Sequence, residues 1–223
     1  MPDAATLHDP PVRIRDLPVR LAHWGLVVSV TGSFWSHYAG TSAFAWHVRF
    51  GCATLLLVAF RIAWGFVGTR YARFAPWLRA ALRPRGPGDP AALTRPGSLM
   101  ALSLLALLLT QALSGLFAND DMMDAGPLSG AVARSLSNGL SSTHEVVSSV
   151  LLVVLALHVG AALVYRIVRK DDRITLLVTG TRAGLPAGSA LGAERLWRAC
   201  LVALALAAVL GLVLALAPEP IEF

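Results

Sequence analysis

The sequence has little charge for its length. Of its 223 residues, 14% are Asp, Glu, Lys or Arg, whereas about a quarter of the residues in soluble domains are charged. Hydrophobic residues make up 56% of the chain, and the mean hydropathy is +0.63. This composition excludes an ordinary soluble domain, and it excludes a disordered chain, which needs low hydrophobicity and high charge. The composition therefore indicates an all-α protein that crosses a membrane several times.

Cysteine is also scarce. The two cysteines, Cys52 and Cys200, lie in separate apolar stretches, and the sequence contains no Cys-x-x-Cys-His motif. Covalent attachment of a c-type haem is therefore excluded. The first 20 residues are polar and lack the apolar segment of a signal peptide, so we expect the first apolar stretch to remain as a membrane span.

Five apolar stretches are long enough to cross the hydrocarbon core, which takes about 20 helical residues. We expect spans within residues 17–36, 44–67, 99–118, 146–165 and 196–217. The second stretch is the weakest, because it contains His47, Arg49 and Arg61. Segments rich in Pro and Gly, at 84–90 and 182–195, are expected to be linkers.

Basic residues are concentrated at one end of the expected spans. Sixteen of the nineteen Lys and Arg residues fall in segments 1–20, 68–97 and 166–198. The positive-inside rule makes these segments cytoplasmic, with the N-terminus inside and the C-terminus outside. This distribution indicates membrane topology and no nucleic-acid site. The longest loop on the other side, 119–143, carries Asp120, Asp121 and Asp124, which we expect to attract a basic partner.

Four histidines lie at or within the spans, where polar side chains are costly and are functional candidates. His144 and His158 are 14 residues apart, which is nearly four helical turns, so they project from one helix face about 21 Å apart. Their depths pair His158 with His23 near the inner side and His144 with His47 near the outer side. Each pair can clamp a planar metallocofactor between helices, as in six-coordinate haem b.

Other interpretations remain open on spacing alone. His37 also follows His23 by 14 residues, so it competes with His47, although Gly40 indicates that the chain is leaving the membrane there. A His-based metal or small-solute transporter, or a membrane anchor with structural histidines, is a different kind of function. A metal transporter would bring clustered carboxylates or Met near the midplane, and the third and fifth stretches contain no carboxylate.

Several stretches of sequence form a family pattern. They are DLPVRLAHW at 16–24, WHVRFG at 46–51, FRIAWGFVG at 60–68, GLFANDD at 115–121, and the segment from His144-Glu145 to His158. In this order, over about residues 12–181, they resemble bacterial di-haem cytochromes b of the cytochrome b-561 and nickel-hydrogenase b-subunit type.

The resemblance implies a four-helix transmembrane bundle at 17–181 that holds two haems b, with His23, His47, His144 and His158 as iron ligands. It also implies electron transfer between a quinone, such as ubiquinone, and a redox partner in a respiratory chain of the bacterial inner membrane. That partner would be a c-type cytochrome or a hydrogenase on the outer face. The corresponding enzyme class would be a quinone oxidoreductase or its membrane subunit. Residues 1–16 would be a cytoplasmic tail, and 182–223 would add a linker and a fifth, lipid-facing transmembrane helix that departs from the family pattern.

Some residues are expected to support the cofactors. Haem propionates near a membrane interface need cations, and arginine pairs well with carboxylates. The candidates are Arg20, Arg49 and Arg61; Arg61 either approaches the inner haem or extends to the interface. Gly32, Gly51, Gly115 and Gly160 leave room for a cofactor or for close helix contact. Ser142 and Glu145 have the spacing of a capping box, which predicts that the fourth helix begins there.

Overall fold

The computed structural model describes residues 11–82, 94–121, 124–168, 170, 173–182 and 196–219. This part of the chain contains seven α-helices: α1 (Leu17–Tyr38), α2 (Phe44–Val67), α3 (Phe74–Leu82), α4 (Arg95–Phe117), α5 (Arg134–Ile167), α6 (Arg173–Thr179) and α7 (Leu196–Ala215). Two short strands, β1 (Val12–Arg13) and β2 (Thr181–Arg182), pair antiparallel. The linker expected at 84–90 lies outside the described residues, and so does the one expected at 182–195 except for Arg182, which belongs to β2.

Four of the helices form a bundle around a shared apolar core. α2 packs against α1, α4 and α7, and α4 packs against α5. Val58 of α2, Leu108 of α4 and Leu151 of α5 are buried together. Leu26 and Val30 of α1 pack against this cluster. The chain is therefore an all-α bundle built from α1, α2, α4 and α5, with α7 added on the side of α2.

The helices differ in how readily they could cross a membrane. In the described part of the chain, four are long and apolar enough by length and composition: Thr41–Val67, Arg95–Phe117, Arg134–Ile167 and Leu196–Ala215. α1 has 22 residues, but it is not among the four, because polar residues such as Arg20, His23 and His37 dilute its apolar content. The structure is thus that of a helical membrane protein, and the expected total of five spans stays a prediction.

The two ends of the bundle differ in charge. The basic end holds the start of α1 and the end of α2, where Trp64 Nε1 donates to Asp16 Oδ2 at 3.0 Å. Ala199, near the start of α7, packs with Val19 and Trp64 at this end. The acidic end holds Asp120, Asp121 and Asp124, which lie in the loop between α4 and α5. The backbone of Glu219, after α7, lies against Gly130 at the acidic end, so α7 runs the full height of the bundle.

A buried carboxylate begins α1. Asp16 is the N-cap residue, and its Oδ1 accepts a hydrogen bond from the backbone N–H of Val19 at 2.9 Å. Its Oδ2 also accepts from Thr69 Oγ1 at 2.6 Å. Pro18 fits the first turn because no intrahelical N–H is needed there. Asp16 is 1% exposed, so this one side chain fixes the start of α1 against the end of α2.

The segment before α1 joins the segment after α6. The backbone N–H of Ile14 donates to the Gly180 carbonyl at 2.9 Å. From α1, Arg20 Nε and Trp24 Nε1 each donate to the Leu177 carbonyl at 3.3 Å. Arg15 is buried among these contacts. Burial lowers the pKa of its guanidinium, and the negative charge of Asp16 acts to raise it. Residues 11–16 are therefore packed onto the basic end of the bundle.

α5 begins earlier than the sequence predicts. Its first residue is Arg134 and it is 34 residues long, or about 51 Å. The expected capping box is wrong, because Ser142 lies inside the helix and its Oγ donates to the Asn138 carbonyl at 3.3 Å. The helical turns before Ser142 are hydrogen-bonded to a residue outside the helix, the buried Asn119. Its Nδ2 contacts Ser137 Oγ at 2.5 Å. A tertiary contact therefore decides where this helix starts.

Candidate cofactor site

The first histidine couple lies toward the basic end. His23, in α1, and His158, in α5, have their ring centroids 6.4 Å apart and their planes 57° apart. Trp24 packs edge-on against the His23 ring at 5.6 Å. We call His23 and His158 the basic-end couple. The structure brings together the two residues that the depth argument pairs.

The second couple lies toward the acidic end. His47, in α2, and His144, in α5, have ring centroids 6.1 Å apart, with an interplanar angle of 81°. We call these two the acidic-end couple. Both couples use α5, so they are stacked along the bundle at the 14-residue spacing of that helix, about 21 Å.

His37 also approaches the acidic-end couple. Its ring lies 6.0 Å from that of His47, but its side chain is exposed, next to Tyr38 at the end of α1. His47 therefore lies between two possible partners, of which His144 is the less exposed. Within the described ranges, no group of three His, Cys, Asp or Glu side chains could hold a metal ion, so the histidines form couples and no multidentate ion site.

The spacing of the couples fits a metal held between two imidazoles. A metal–nitrogen bond is about 2 Å long, so two rings on opposite sides of one metal have centroids roughly 6 Å apart. The observed 6.4 Å and 6.1 Å match this spacing. Gly51, one turn after His47, has no atom of another described residue within 4 Å of a Cβ built there, which leaves open space beside the acidic-end couple. The donor set thus suits the iron of a b-type haem.

Backbone carbonyls fix the protonation of the acidic-end couple. His47 Nδ1 lies 2.9 Å from the Ser33 carbonyl, and His144 Nδ1 lies 2.9 Å from the Gln111 carbonyl. A carbonyl oxygen only accepts hydrogen bonds, so each Nδ1 carries the proton and each Nε2 keeps its lone pair. This second layer of contacts orients a ligating imidazole.

One turn of α4, from Gln111 to Gly115, packs against the His144 ring. We call this turn the seat of His144. A Cβ built on Gly115 would lie 2.7 Å from His144 Cε1, so glycine is needed for this close approach. Ser114 Oγ lies 3.4 Å from Nδ1 of the same ring. Sequence reasoning singled out Gly115 but missed Gln111 and Ser33, which act through backbone carbonyls. The available signal for Gln111 is that it is the only glutamine in the chain and lies in an uncharged apolar stretch.

We expect Gly115→Ala to weaken cofactor binding at the acidic-end couple by roughly 10- to 100-fold, because the added methyl displaces the His144 ring. The basic-end couple should keep its affinity. Haem titration of the purified chain, followed by absorbance, measures both. Gly139→Ala is the matched control, since a Cβ at Gly139 in α5 meets no described residue within 4 Å. Equal affinities in the two variants would contradict this account of the seat.

The three candidate arginines lie in different surroundings. Arg20 donates from Nε and Nη2 to the carbonyls of Leu177 and Val178 at the end of α6. Arg49 is exposed and stacks on Trp46, with Cζ 4.9 Å from the ring centroid. Arg61 is 6% exposed. These positions give Arg20 protein partners, place Arg49 at the surface, and bury Arg61 near the basic end.

Arg61 has a hydrogen-bond partner in the described structure for only one of its two terminal nitrogens. Its Nη2 donates to the Ala72 carbonyl at 3.1 Å, and its Cζ lies 4.3 Å from the Trp77 ring centroid. Its Nη1 is buried with no hydrogen-bond partner among the described residues. A buried guanidinium with an unsatisfied N–H is suited to a carboxylate from a bound group.

A helical membrane bundle whose facing helices bring histidines together in couples is the architecture of a b-type cytochrome. The sequence agrees with this class: residues 14–180 match the family of prokaryotic cytochrome b561. The chain belongs to this family and is therefore a multi-pass prokaryotic membrane protein of the b-haem electron-transfer class. No curated protein and no solved structure matches it. The match ends at 180, so α7 lies outside it.

Proposed function

We propose that this protein carries electrons across the bacterial inner membrane through two b-type haems, one at each histidine couple. The single observation that supports this most is the pair of imidazole separations, 6.4 Å and 6.1 Å. His23 and His158 would hold one haem at the basic end, and His47 and His144 would hold the other at the acidic end. Bound haem supplies the one-electron chemistry of iron.

The chain's own residues set the conditions for this chemistry. The Ser33 and Gln111 carbonyls hold His47 and His144 in the tautomer that presents Nε2. This fixed orientation limits the rearrangement needed when a ligated iron changes charge. Between the couples, the buried Val58, Leu108 and Leu151 exclude water from the middle of the bundle.

We propose that α1 crosses the membrane as well, giving five spans. α1 packs along α2 from Asp16, which contacts Trp64, to the turn at Thr41–Ala43 that begins α2. Its polar groups have partners within the protein, as polar side chains within a membrane require: Ser29 Oγ accepts from Thr54 Oγ1 of α2 at 3.0 Å, and Ser36 Oγ donates to the Gly32 carbonyl of α1 itself at 2.7 Å. With five spans, the basic end and the N-terminus are cytoplasmic, and the C-terminus is periplasmic.

We assign Arg61 to a propionate of the haem at the basic end. The unpartnered Nη1 supports this assignment, because a positive charge that is buried near an anion is stabilised by it. The charge also acts on the haem iron, since a nearby cation favours the reduced, less positive state.

Replacement of Arg61 by Met should therefore lower the midpoint potential of the haem at the basic end by tens of millivolts, because one buried positive charge is lost. Arg61→Lys keeps the charge and should stay closer to the unmodified protein. A redox titration monitored by absorbance gives both potentials. An unchanged potential in the Met variant would remove Arg61 from the site.

We propose that the partners are a quinone and a redox protein, such as a c-type cytochrome or a hydrogenase, at the periplasmic face. The loop that carries Asp124 packs beside the acidic-end couple, since Gly126 lies against the backbone of Gly115, which contacts the His144 ring. Burial and the neighbouring Asp120 raise the pKa of Asp124, and Asp121 is paired with Arg134 at 3.0 Å. The acidic loop thus borders the acidic-end couple, where a basic partner could exchange electrons with the haem.

An absorption spectrum of the purified chain tests the proposal. We expect a reducible b-type signal and about two haems per chain, since each couple ligates one iron. Reduction by a quinol added to the oxidised protein tests the quinone step. A colourless protein that is folded by circular dichroism would contradict the proposed function.

A further inference from the structure

The side chain of Gln111 occupies the ligand position of His144. Its Nε2 lies 3.1 Å from His144 Nε2, while the backbone carbonyl of the same residue accepts from His144 Nδ1 at 2.9 Å. Gln111 therefore contacts both nitrogens of one imidazole, the first through its side chain and the second through its backbone.

The direction of the side-chain bond follows from the tautomer. The N–H at Nδ1 donates a hydrogen bond to the Gln111 carbonyl, so Nε2 has a lone pair and can only accept. The amide NH₂ of Gln111 is then the donor. This orientation leaves Oε1 of the same amide buried with no partner among the described residues. The amide thus gains one hydrogen bond and leaves another group unsatisfied, so it is held weakly.

The lone pair on Nε2 is the one that a metal needs. A hydrogen bond from the Gln111 amide and a bond to iron use the same lone pair of His144, so they exclude each other. We propose that Gln111 is a positioning residue that regulates haem loading: its amide protects the acidic-end ligand and must turn away before iron binds. This inference rests on the proposed ligation by His144.

In the part of the chain that the structure describes, the basic-end couple has no such competitor. Among the described residues, no hydrogen bond involves a ring nitrogen of His23 or His158. Their imidazoles are available to iron without displacement of a protein donor. The two sites should therefore load in order, with the haem at the basic end bound first when haem is limiting.

The test uses the full-length chain from haem-limited cells, titrated with hemin in detergent. The background variant His158→Ala isolates the acidic-end couple, and His47→Ala isolates the basic-end couple. In the first background, Gln111→Met, which has a similar shape but no N–H donor, should load hemin roughly three- to tenfold more tightly or faster, the worth of one hydrogen bond. In the second background, Gln111→Met should leave hemin loading at the basic-end couple unchanged.

A control variant and a measurement on the parent chain complete the test. Thr110→Val is the matched control, because Thr110 precedes Gln111 in α4 but its exposed side chain donates to the Ala106 carbonyl of the same helix; its hemin loading should equal that of the parent. If Gln111→Met does not fold, the loading order of the otherwise unmodified chain at substoichiometric hemin decides the question. The inference would be overturned if the acidic-end couple loads first, or if Gln111→Met leaves hemin loading there equal or slower. Two bound haems would still support the proposed function in that case. No hemin at either couple would overturn both.

Discussion

His47→Ala should purify with one haem per chain instead of two, and the remaining haem should be the one at the basic end. The rings of His47 and His144 are 6.1 Å apart; if both hold the haem at the acidic end, as we propose, this substitution removes one of its two ligands. His37 also lies near this couple, but its side chain is exposed, so we expect it not to substitute for His47. Haem quantification as the pyridine haemochrome, together with redox titration, measures the change.

His37→Ala is the matched control for this prediction. The two residues have rings 6.0 Å apart on neighbouring helices, so a general disturbance of the acidic end would affect both variants. We expect His37→Ala to keep two haems and both potentials. If His37→Ala loses the acidic-end haem and His47→Ala retains it, the assignment of His47 is wrong.

Asp16→Asn should lower the free energy of unfolding by about 2–4 kcal/mol, although the side chain keeps its shape. Oδ1 accepts from Val19, and Oδ2 accepts from Trp64 and Thr69. An amide has one oxygen, so at least one buried donor faces an NH₂ group and remains unsatisfied, which costs about 1–3 kcal/mol per group. The buried Arg15 also loses its neighbouring negative charge. Unfolding in detergent followed by tryptophan fluorescence measures the loss.

Asp121→Asn makes the same chemical change at the opposite end of the bundle. Asp121 pairs with Arg134, and both side chains are more than half exposed, at 52% and 57%. Exposed ion pairs contribute about 0–1 kcal/mol, and asparagine tolerates the positive φ of 55° at this position. Its unfolding should stay near that of the parent. Equal destabilisation by the two substitutions would show that the buried contacts of Asp16 are not what stabilises the basic end.

The sequence predicts local features that depend on composition and spacing. The second stretch, 44–67, coincides with α2, because it is mostly apolar and contains no proline to interrupt the helix. The 14-residue spacing of His144 and His158 places both on one face of α5, because helical geometry fixes that relation. The family resemblance at 12–181 agrees with the match at 14–180.

The spacing of residues along the sequence does not predict contacts between distant parts of the chain. The start of α5 is set by Asn119, whose hydrogen bonds to Ser137 and Asn138 hold the turns that precede the expected capping box. Likewise, no pattern indicates that residues 11–16 pack on α6, since the strand partners Val12 and Arg182 are 170 residues apart in the chain.

The apolar character of the chain, the charge difference between its two ends and the depth of each histidine were determined by the sequence alone, since they follow from residue type and helical rise. The tertiary structure decided which atoms meet: the Ser33 and Gln111 carbonyls on the imidazoles, the Gly115 seat, and the unpartnered Nη1 of Arg61. These contacts depend on the register of α1 and α4 against their neighbours. Packing across the bundle fixes that register, and no local pattern in the chain encodes it.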